Sequence, residues 1–352
     1  MITKSMEELK VLVADSSPVY RKMFTRAVTE VNNSSKVTCV ASGDEARNKI
    51  LNHEYDIIVI DAEIPGLCLL ELLKGTMLET SMAFMLVTIS PSLAKDKELM
   101  ETLSEGAVAC MDKPIYESYD KNLKKIKNKI VEILDVLRDS RNEDSRQTGA
   151  SEAEINEDSA KDFNFEIILI ASSTGGPNAL KRLISGLRGD LPVPILIVQH
   201  IPEYFTELLA SDINNISKLS VKVAEDGEKL KAGVVYLAPG GTHTKIGRKN
   251  RIVLEDSPPI NGVRPSADAL FKSVANDFHG DRVLTVVLTG MGRDSQEGVA
   301  QLKEKKECYC LTQSEKTSVV YGMPRAIVES GLADKIVDLD EMTAEVERLF
   351  RT

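Results

Sequence analysis

The stretch Glu166-Ile167-Ile168-Leu169-Ile170-Ala171-Ser172-Ser173-Thr174-Gly175-Gly176-Pro177-Asn178 carries an apolar run into a turn of small residues and then into a helix start. A short run of Ile and Leu, bounded by turn residues, predicts a strand buried on both faces over Glu166–Ile170. Glycines permit a tight turn, and the helix expected from about Asn178 presents unpaired amides with partial positive charge, a suitable place for an oxyanion. The loop has neither a GxGxxG pattern nor a GxSxG elbow. Taken alone it therefore suits either a nucleotide-binding turn or a hydrolase.

Further buried strands are expected at Pro194–Val198, Val234–Leu237 and Val283–Leu288, with helical patterns between several of them. That alternation predicts a doubly wound α/β sheet, whose sites form at the carboxyl ends of its strands. Strands around Val221–Leu254 follow one another without helices, which predicts an antiparallel extension. Two more strand ends carry reactive side chains: Val198-Gln199-His200, and Thr289-Gly290-Met291-Gly292-Arg293-Asp294. Serine, histidine and aspartate at three neighbouring strand ends supply a nucleophile, its base and the group that orients the base. A single histidine is more often structural, and the combination is what reverses that reading. His243, after Pro239-Gly240-Gly241-Thr242, is the alternative base; His53 belongs to the N-terminal half and His279 to a polar loop.

The N-terminal half repeats the α/β alternation, with strands expected at Lys10–Ala14, Lys36–Val40, Asp56–Ile60, Ala83–Val87 and Ala107–Cys110 and a helix over about Glu117–Arg138. On that helix Leu123, Ile126, Ile130, Ile133, Leu134 and Leu137 share one side. Lys121, Lys124, Lys125, Lys127 and Lys129 lie largely elsewhere, as on a solvated face rather than a docking surface. Asp15 follows the first strand, Asp61 the third, Thr88 the fourth and Lys113 the fifth, so all four converge at one sheet edge. One carboxylate as nucleophile, another toward a divalent cation, a lysine for phosphoryl oxygens and a hydroxyl that follows the new charge suit acyl-phosphate chemistry.

Between Asp139 and Asp162 eight acids oppose three bases, so half of the net charge of -10 sits in a segment almost without apolar residues. Such a stretch buries too little to offset its conformational entropy and is expected to be a linker. The domain division is then 1–138, the acidic linker 139–162, and 163–352. With 42% hydrophobic and 28% charged residues among 352, the chain has the composition of a globular protein long enough for two cores. The acidic balance disfavours nucleic acid. Apolar runs are strand-length and the N-terminus lacks an apolar leader segment, so a cytoplasmic protein without membrane insertion is expected. Cys39, Cys68, Cys110, Cys308 and Cys310 form no CxxC spacing and are expected to be reduced, mostly buried thiols, with Cys308 and Cys310 on one strand face and no zinc site.

Residues 9–138 resemble the receiver domain of response regulators, which implies a flavodoxin-like, five-stranded parallel sheet. Asp61 matches the phosphoacceptor in Asp56-Ile57-Ile58-Val59-Ile60-Asp61, Lys113 precedes Pro114 as the family's lysine does, and Thr88 falls at the switch hydroxyl. Receivers usually carry two adjacent acids where this chain has Asp15-Ser16, and an Asp-Gly pair where it has Cys68-Leu69. The resemblance implies Mg2+ held by Asp15 and Asp61, with affinity in doubt because Ser16 replaces an acid. A degenerate receiver is the alternative.

Farther along, Ser172-Ser173-Thr174-Gly175-Gly176, Gln199-His200-Ile201-Pro202, Leu237-Ala238-Pro239-Gly240-Gly241, Val263-Arg264-Pro265-Ser266, Leu288-Thr289-Gly290-Met291-Gly292 and Tyr321-Gly322-Met323-Pro324 resemble the chemotaxis protein-glutamate methylesterases, the CheB family. The resemblance implies Ser173 as nucleophile, with Ser172 its neighbour, His200 as base and Asp294 as its orienting partner. Thr174 adjoins the nucleophile and Met291 falls on the oxyanion side; Ser295 stands where a glycine commonly follows the catalytic aspartate. The implied activity is hydrolysis of glutamate methyl esters on chemotaxis receptors, with deamidation of receptor glutamines. The implied control is phosphorylation by a chemotaxis histidine kinase of a receiver that otherwise inhibits, in a monomer whose hydrolysis needs no cofactor. Two alternatives remain: an interaction protein with an inactive hydrolase fold, and a nucleotide-dependent enzyme using the Gly175-Gly176 turn, against which the missing Walker lysine argues.

Overall fold

The computed structural model describes residues 8–69, 71–72, 84–90, 93, 108–113, 118–143, 164–260 and 262–350. The chain divides into two compact units, Met1–Asn142 and Glu143–Thr352. Most of the acidic stretch, residues 144–162, lies outside the described residues, as do Ala83, Ala107 and Pro114.

In the first unit β1 (Lys10–Ala14), β2 (Lys36–Val40), β3 (Ile57–Asp61), β4 (Phe84–Ile89) and β5 (Val108–Asp112) form a parallel sheet in the order β2-β1-β3-β4-β5. The described helices are α1 (Pro18–Val31), α2 (Gly43–Asn52) and α3 (Tyr119–Glu143). Asp61 and Thr88 belong to strands β3 and β4 and are paired in register, instead of following those strands. α3 runs on to Glu143, so the acidic stretch begins as helix. Leu123, Ile126, Ile130, Ile133 and Leu134 bury its apolar stripe. Lys121, Lys124 and Lys125 are exposed, while Lys127 pairs with Glu30 and Lys129 with Glu132.

The second unit is built on β6 (Ile167–Ser172), β7 (Ile195–Gln199), β8 (Ser220–Val223), β9 (Val234–Leu237), β12 (Arg282–Val287), β13 (Glu307–Gln313) and β14 (Lys335–Val337), in the order β14-β13-β12-β6-β7-β9-β8. Its helices are α4 (Gly176–Gly186), α5 (Glu203–Ile216), α6 (Ala267–Asp277), α7 (Gln296–Lys305), α8 (Gly322–Glu329) and α9 (Leu339–Leu349). Antiparallel pairing is narrower than expected. Among the described residues the antiparallel strand pair is the hairpin of β10 (His243–Gly247) and β11 (Arg251–Glu255), with single bridges at Lys229–Arg251 and Ile260–Val263, whereas β8 and β9 pair in parallel.

Strand alternation on β6 explains the two-sided core. Ile168 and Ile170 pack with Leu180, Leu183, Ile213 and Val346 on one face, and Ile167, Leu169 and Ala171 pack with Phe271, Val274, Val299 and Leu302 on the other. Each such buried Ile, Leu, Val or Phe side chain contributes about 1.5–3 kcal/mol relative to exposure. Chain order reverses at β6, whose neighbours are β12 on one side and β7 on the other. This is the switch point at which sites form in open α/β sheets.

The cysteines depart from expectation. Among the five, all free, only Cys310 is fully buried; Cys39 and Cys68 are exposed. Cys39 lies on β2, an edge strand, and Cys68 at the surface directly before Leu69. Among the described residues no group of three or more His, Cys, Asp and Glu side chains is arranged to hold a metal, and no helix is long and apolar enough to cross a membrane.

Candidate active site

β6 ends one residue before Ser173, so the strand delivers Ser173 to the sheet edge and keeps Ser172 in the core. The Ser172 hydroxyl donates to Gln199 Oε1 at 2.7 Å, and Gln199 Nε2 donates to the Ser173 carbonyl at 2.9 Å. The Ser173 amide donates to the Thr289 carbonyl at 3.0 Å, which joins the turn to the loop after β12. Gly175 then adopts φ 78°, and a Cβ there would come within 2.6 Å of Val319. Because this left-handed residue turns the chain tightly, α4 begins at Gly176, two residues earlier than periodicity suggested.

Register brings His200 alongside. Ser172 pairs with Gln199, and the His200 amide donates to the Ser172 carbonyl at 3.1 Å. His200 Nε2 lies 2.8 Å from Asp294 Oδ2. Asp294 is buried and accepts three further hydrogen bonds: from Ser266 Oγ at 2.7 Å and the Asp268 amide at 3.1 Å on Oδ1, and from the Ala267 amide at 2.5 Å on Oδ2. The amide donors form the first turn of α6, whose partial positive charge favours a carboxylate. Burial alone would raise the Asp294 carboxyl. The His200 contact and charge, with the Ser266 and Ala267 bonds, outweigh it and hold Asp294 below the usual carboxylate range.

Thr174 and Met291 are both buried at the same edge; the Thr174 carbonyl accepts from Thr289 Oγ1 at 2.9 Å. His243, the alternative base, is placed otherwise. Its Nδ1 accepts from the Ser266 amide at 3.2 Å and its Nε2 donates to the Pro258 carbonyl at 3.1 Å, which engages both ring nitrogens of the neutral imidazole. Burial first, then the Arg264 and Lys245 charges, lower its pKa. His243 therefore supports Ser266, and through it Asp294. Gln199, Ser266 and Thr289 stand in the motifs quoted above but have no role assigned by sequence, and Gln313, which accepts from the Thr289 amide at 2.8 Å, lies outside those motifs.

The first unit holds its own polar cluster. Lys113 Nζ lies 2.6 Å from Asp61 Oδ2 and 3.1 Å from Asp15 Oδ2, with the Tyr20 ring centroid 4.7 Å away. Asp15, Asp61 and Thr88 are buried, and Thr88 Oγ1 has no hydrogen-bond partner among the described residues. Burial pulls the Lys113 ammonium down, but the Asp61 hydrogen bond and the charges of Asp15 and Asp61 raise it further. The Asp15 carboxyl is raised too, by burial and then by the Asp61 charge, against the Ser17 amide and Lys113. Ser16 is exposed. Two buried carboxylates offering oxygen suit Mg2+, which binds few protein ligands and keeps several waters.

Residues 168–346 match the CheB methylesterase family and residues 11–125 the response regulator receiver domain. A protein of Clostridium acetobutylicum named protein-glutamate methylesterase/protein-glutamine glutaminase is 34% identical over 98% of this chain and 99% of its own length. A protein of the same name from Desulfotalea psychrophila is 34% identical over 97% and 98%. The catalytic domain of Thermotoga maritima CheB methylesterase is 36% identical, covers 53% of this chain and 98% of its own, and superposes with a TM-score of 0.50. The chain belongs to the CheB methylesterase family and carries a response regulator receiver domain ahead of its catalytic domain.

Proposed function

We propose that this chain hydrolyses glutamate γ-methyl esters on chemotaxis receptors, and deamidates receptor glutamines, under control of phosphorylation at Asp61. Ser173 is the nucleophile, His200 the base and Asp294 the orienting carboxylate. The observation that carries this reading is the 2.8 Å contact of His200 Nε2 with an Asp294 held by three other donors, beside the turn that bears Ser173. Asp294 occupies Nε2, which leaves Nδ1 as the nitrogen that takes the Ser173 proton. Ser173 Oγ then attacks the ester carbonyl, and the tetrahedral intermediate expels methanol, protonated by the imidazolium. Water, deprotonated by the same imidazole, releases the glutamate and regenerates the serine. With a glutamine side chain the leaving group is ammonia. Amides near Thr174 and Met291 stabilise the oxyanion, each such donor being worth roughly 10² to 10³ in rate.

In the receiver, Asp61 Oδ attacks the phosphorus of the phosphodonor, the donor's P–N bond breaks and its imidazole leaves, and Lys113 binds phosphoryl oxygen in exchange for its bond to Asp61. Thr88, with its hydroxyl unsatisfied, follows the new charge. Mg2+, when bound by Asp15 and Asp61, neutralises phosphoryl charge. The kinase of the chemotaxis pathway is the phosphodonor, in the cytoplasm, and residues 139–162 join two domains of a monomer. The test is methanol release from methylated receptor membranes with and without a small-molecule acyl-phosphate donor. No release from the wild-type chain overturns the esterase reading, and release indifferent to the donor overturns the control.

A further inference from the structure

Asp268 is buried in the first turn of α6 and takes no part in the proton transfers above. Its backbone amide donates to Asp294 Oδ1 at 3.1 Å, while its side-chain Oδ1 accepts from the Gly298 amide, in the first turn of α7, at 2.7 Å. α7 begins at Gln296, directly after Asp294-Ser295. One residue thus grips the short segment that carries Asp294 at both places: the carboxylate itself, and Gly298 in the first turn of α7, four residues beyond it. The approach is close, since a Cβ on Gly298 would meet Phe271 Cβ at 2.5 Å and Asp268 Oδ1 at 3.2 Å.

We propose that Asp268 is a positioning residue for the esterase reaction, clamping the first turn of α7 to the first turn of α6 so that Asp294 holds His200 in the Nε2–H tautomer. The inference rests on the functional reading above and adds a residue to it. Keeping a second carboxyl beside Asp294 is costly: burial, then the Asp294 charge, push Asp268 up to about 6, against the Gly298 hydrogen bond. Lys272, which is paired with Glu297 across α6 and α7, partly offsets that charge. The placement yields an acceptor aimed at Gly298, and the clamp needs only that acceptor. An asparagine can supply it with its amide oxygen and carries no charge; an alanine cannot.

The test compares full-length wild type, Asp268→Ala and Asp268→Asn at pH 8, with a peptide bearing one glutamate γ-methyl ester as probe. Ring 15N shifts of His200 report the tautomer, and methanol release gives kcat and KM. Asp268→Ala is expected to lower kcat about 10- to 100-fold with KM nearly unchanged, the scale of a small misplacement of a catalytic group. It is also expected to mix the two tautomers. Asp268→Asn should keep the wild-type tautomer and stay within about threefold of wild-type kcat, because it retains the acceptor. A merely structural role would move stability in Asp268→Ala without moving the tautomer of the folded fraction. Wild-type ring shifts in Asp268→Ala, or an asparagine variant as disturbed as the alanine, overturn the proposal. The ring shifts need no turnover, so an inactive wild type overturns the functional reading and leaves Asp268 to be judged by the tautomer alone.

Discussion

Ser295→Gly is expected to stabilise the catalytic unit. Ser295 sits at φ 99° and ψ -21°, fully buried, directly between Asp294 and α7. Its hydroxyl has no hydrogen-bond partner among the described residues. A non-glycine residue held in such a conformation costs about 1–3 kcal/mol. A buried, unsatisfied hydroxyl adds about 1–3 kcal/mol more. Against this, glycine loses more backbone freedom on folding, roughly 0.5–1 kcal/mol, and removal of the buried Cβ forfeits about 0.8 kcal/mol. With the strain at about 2–2.5 kcal/mol and the hydroxyl at about 1 kcal/mol, the balance is about 1–2 kcal/mol of stabilisation. For a unit of this size, Glu143–Thr352, that corresponds to a Tm rise of about 2–8 °C. Ser295→Ala separates the two contributions, since it removes the hydroxyl and keeps the strained Cβ, and should fall between wild type and Ser295→Gly. Differential scanning calorimetry of the full chain reads the shift. A glycine variant no more stable than wild type, or an alanine variant as stable as the glycine one, would refute the assignment of strain to this φ.

In the folded chain, Ser173→Ala and His200→Ala should each abolish methanol release, because hydroxyl and base act as a unit; full activity of folded Ser173→Ala would sink the nucleophile assignment. Asp294→Asn should lose about 10²- to 10⁴-fold in kcat, since each of its oxygens accepts two hydrogen bonds and an amide NH₂ at either one faces donors; steady-state kinetics at one pH suffices. His243 is depressed in the folded state, so the unfolded chain binds the extra proton and stability falls as pH drops through about 6.5. His243→Gln should flatten that slope in urea unfolding between pH 7 and 5, and an unchanged slope would show that His243 is not its source. Ser16→Asp should lower the Mg2+ requirement for acyl-phosphate formation at Asp61 and tighten Mg2+ binding by calorimetry, whereas Asp61→Asn should remove phosphodonor activation and spare basal hydrolysis. Identical Mg2+ midpoints would show that the missing acid is no handicap.

Much of this was legible along the chain. The Ile-rich run before Ser172 had to be a strand buried on both faces, and the order of strands and helices dictated where chain ends of the right polarity would meet. Ser173, His200 and Asp294 follow neighbouring strands, so local periodicity and the rules of parallel sheets already placed them at one edge. Asp15, Asp61, Thr88 and Lys113 were readable for the same reason. Boundaries were less so: α4 starts early because Gly175 turns left-handed, at a place where a Cβ would run into Val319. The parallel pairing of β8 with β9 was also hidden, because strands without an intervening helix ordinarily return antiparallel, and only the crossover loop decides otherwise.

What tertiary structure alone decided is the support of the proposed triad. Asp294 depends on Ser266 and the first turn of α6, about thirty residues earlier in the chain, and α6 depends on Asp268 reaching Gly298 across to α7. His243 looked like a candidate base until both of its nitrogens were seen to be engaged by Ser266 and Pro258. Hydrogen bonds between residues distant in sequence leave no periodic trace in it. A sequence names the groups that can react, because reactivity belongs to the side chain; which of them is free to react depends on partners that only folding brings within hydrogen-bond distance.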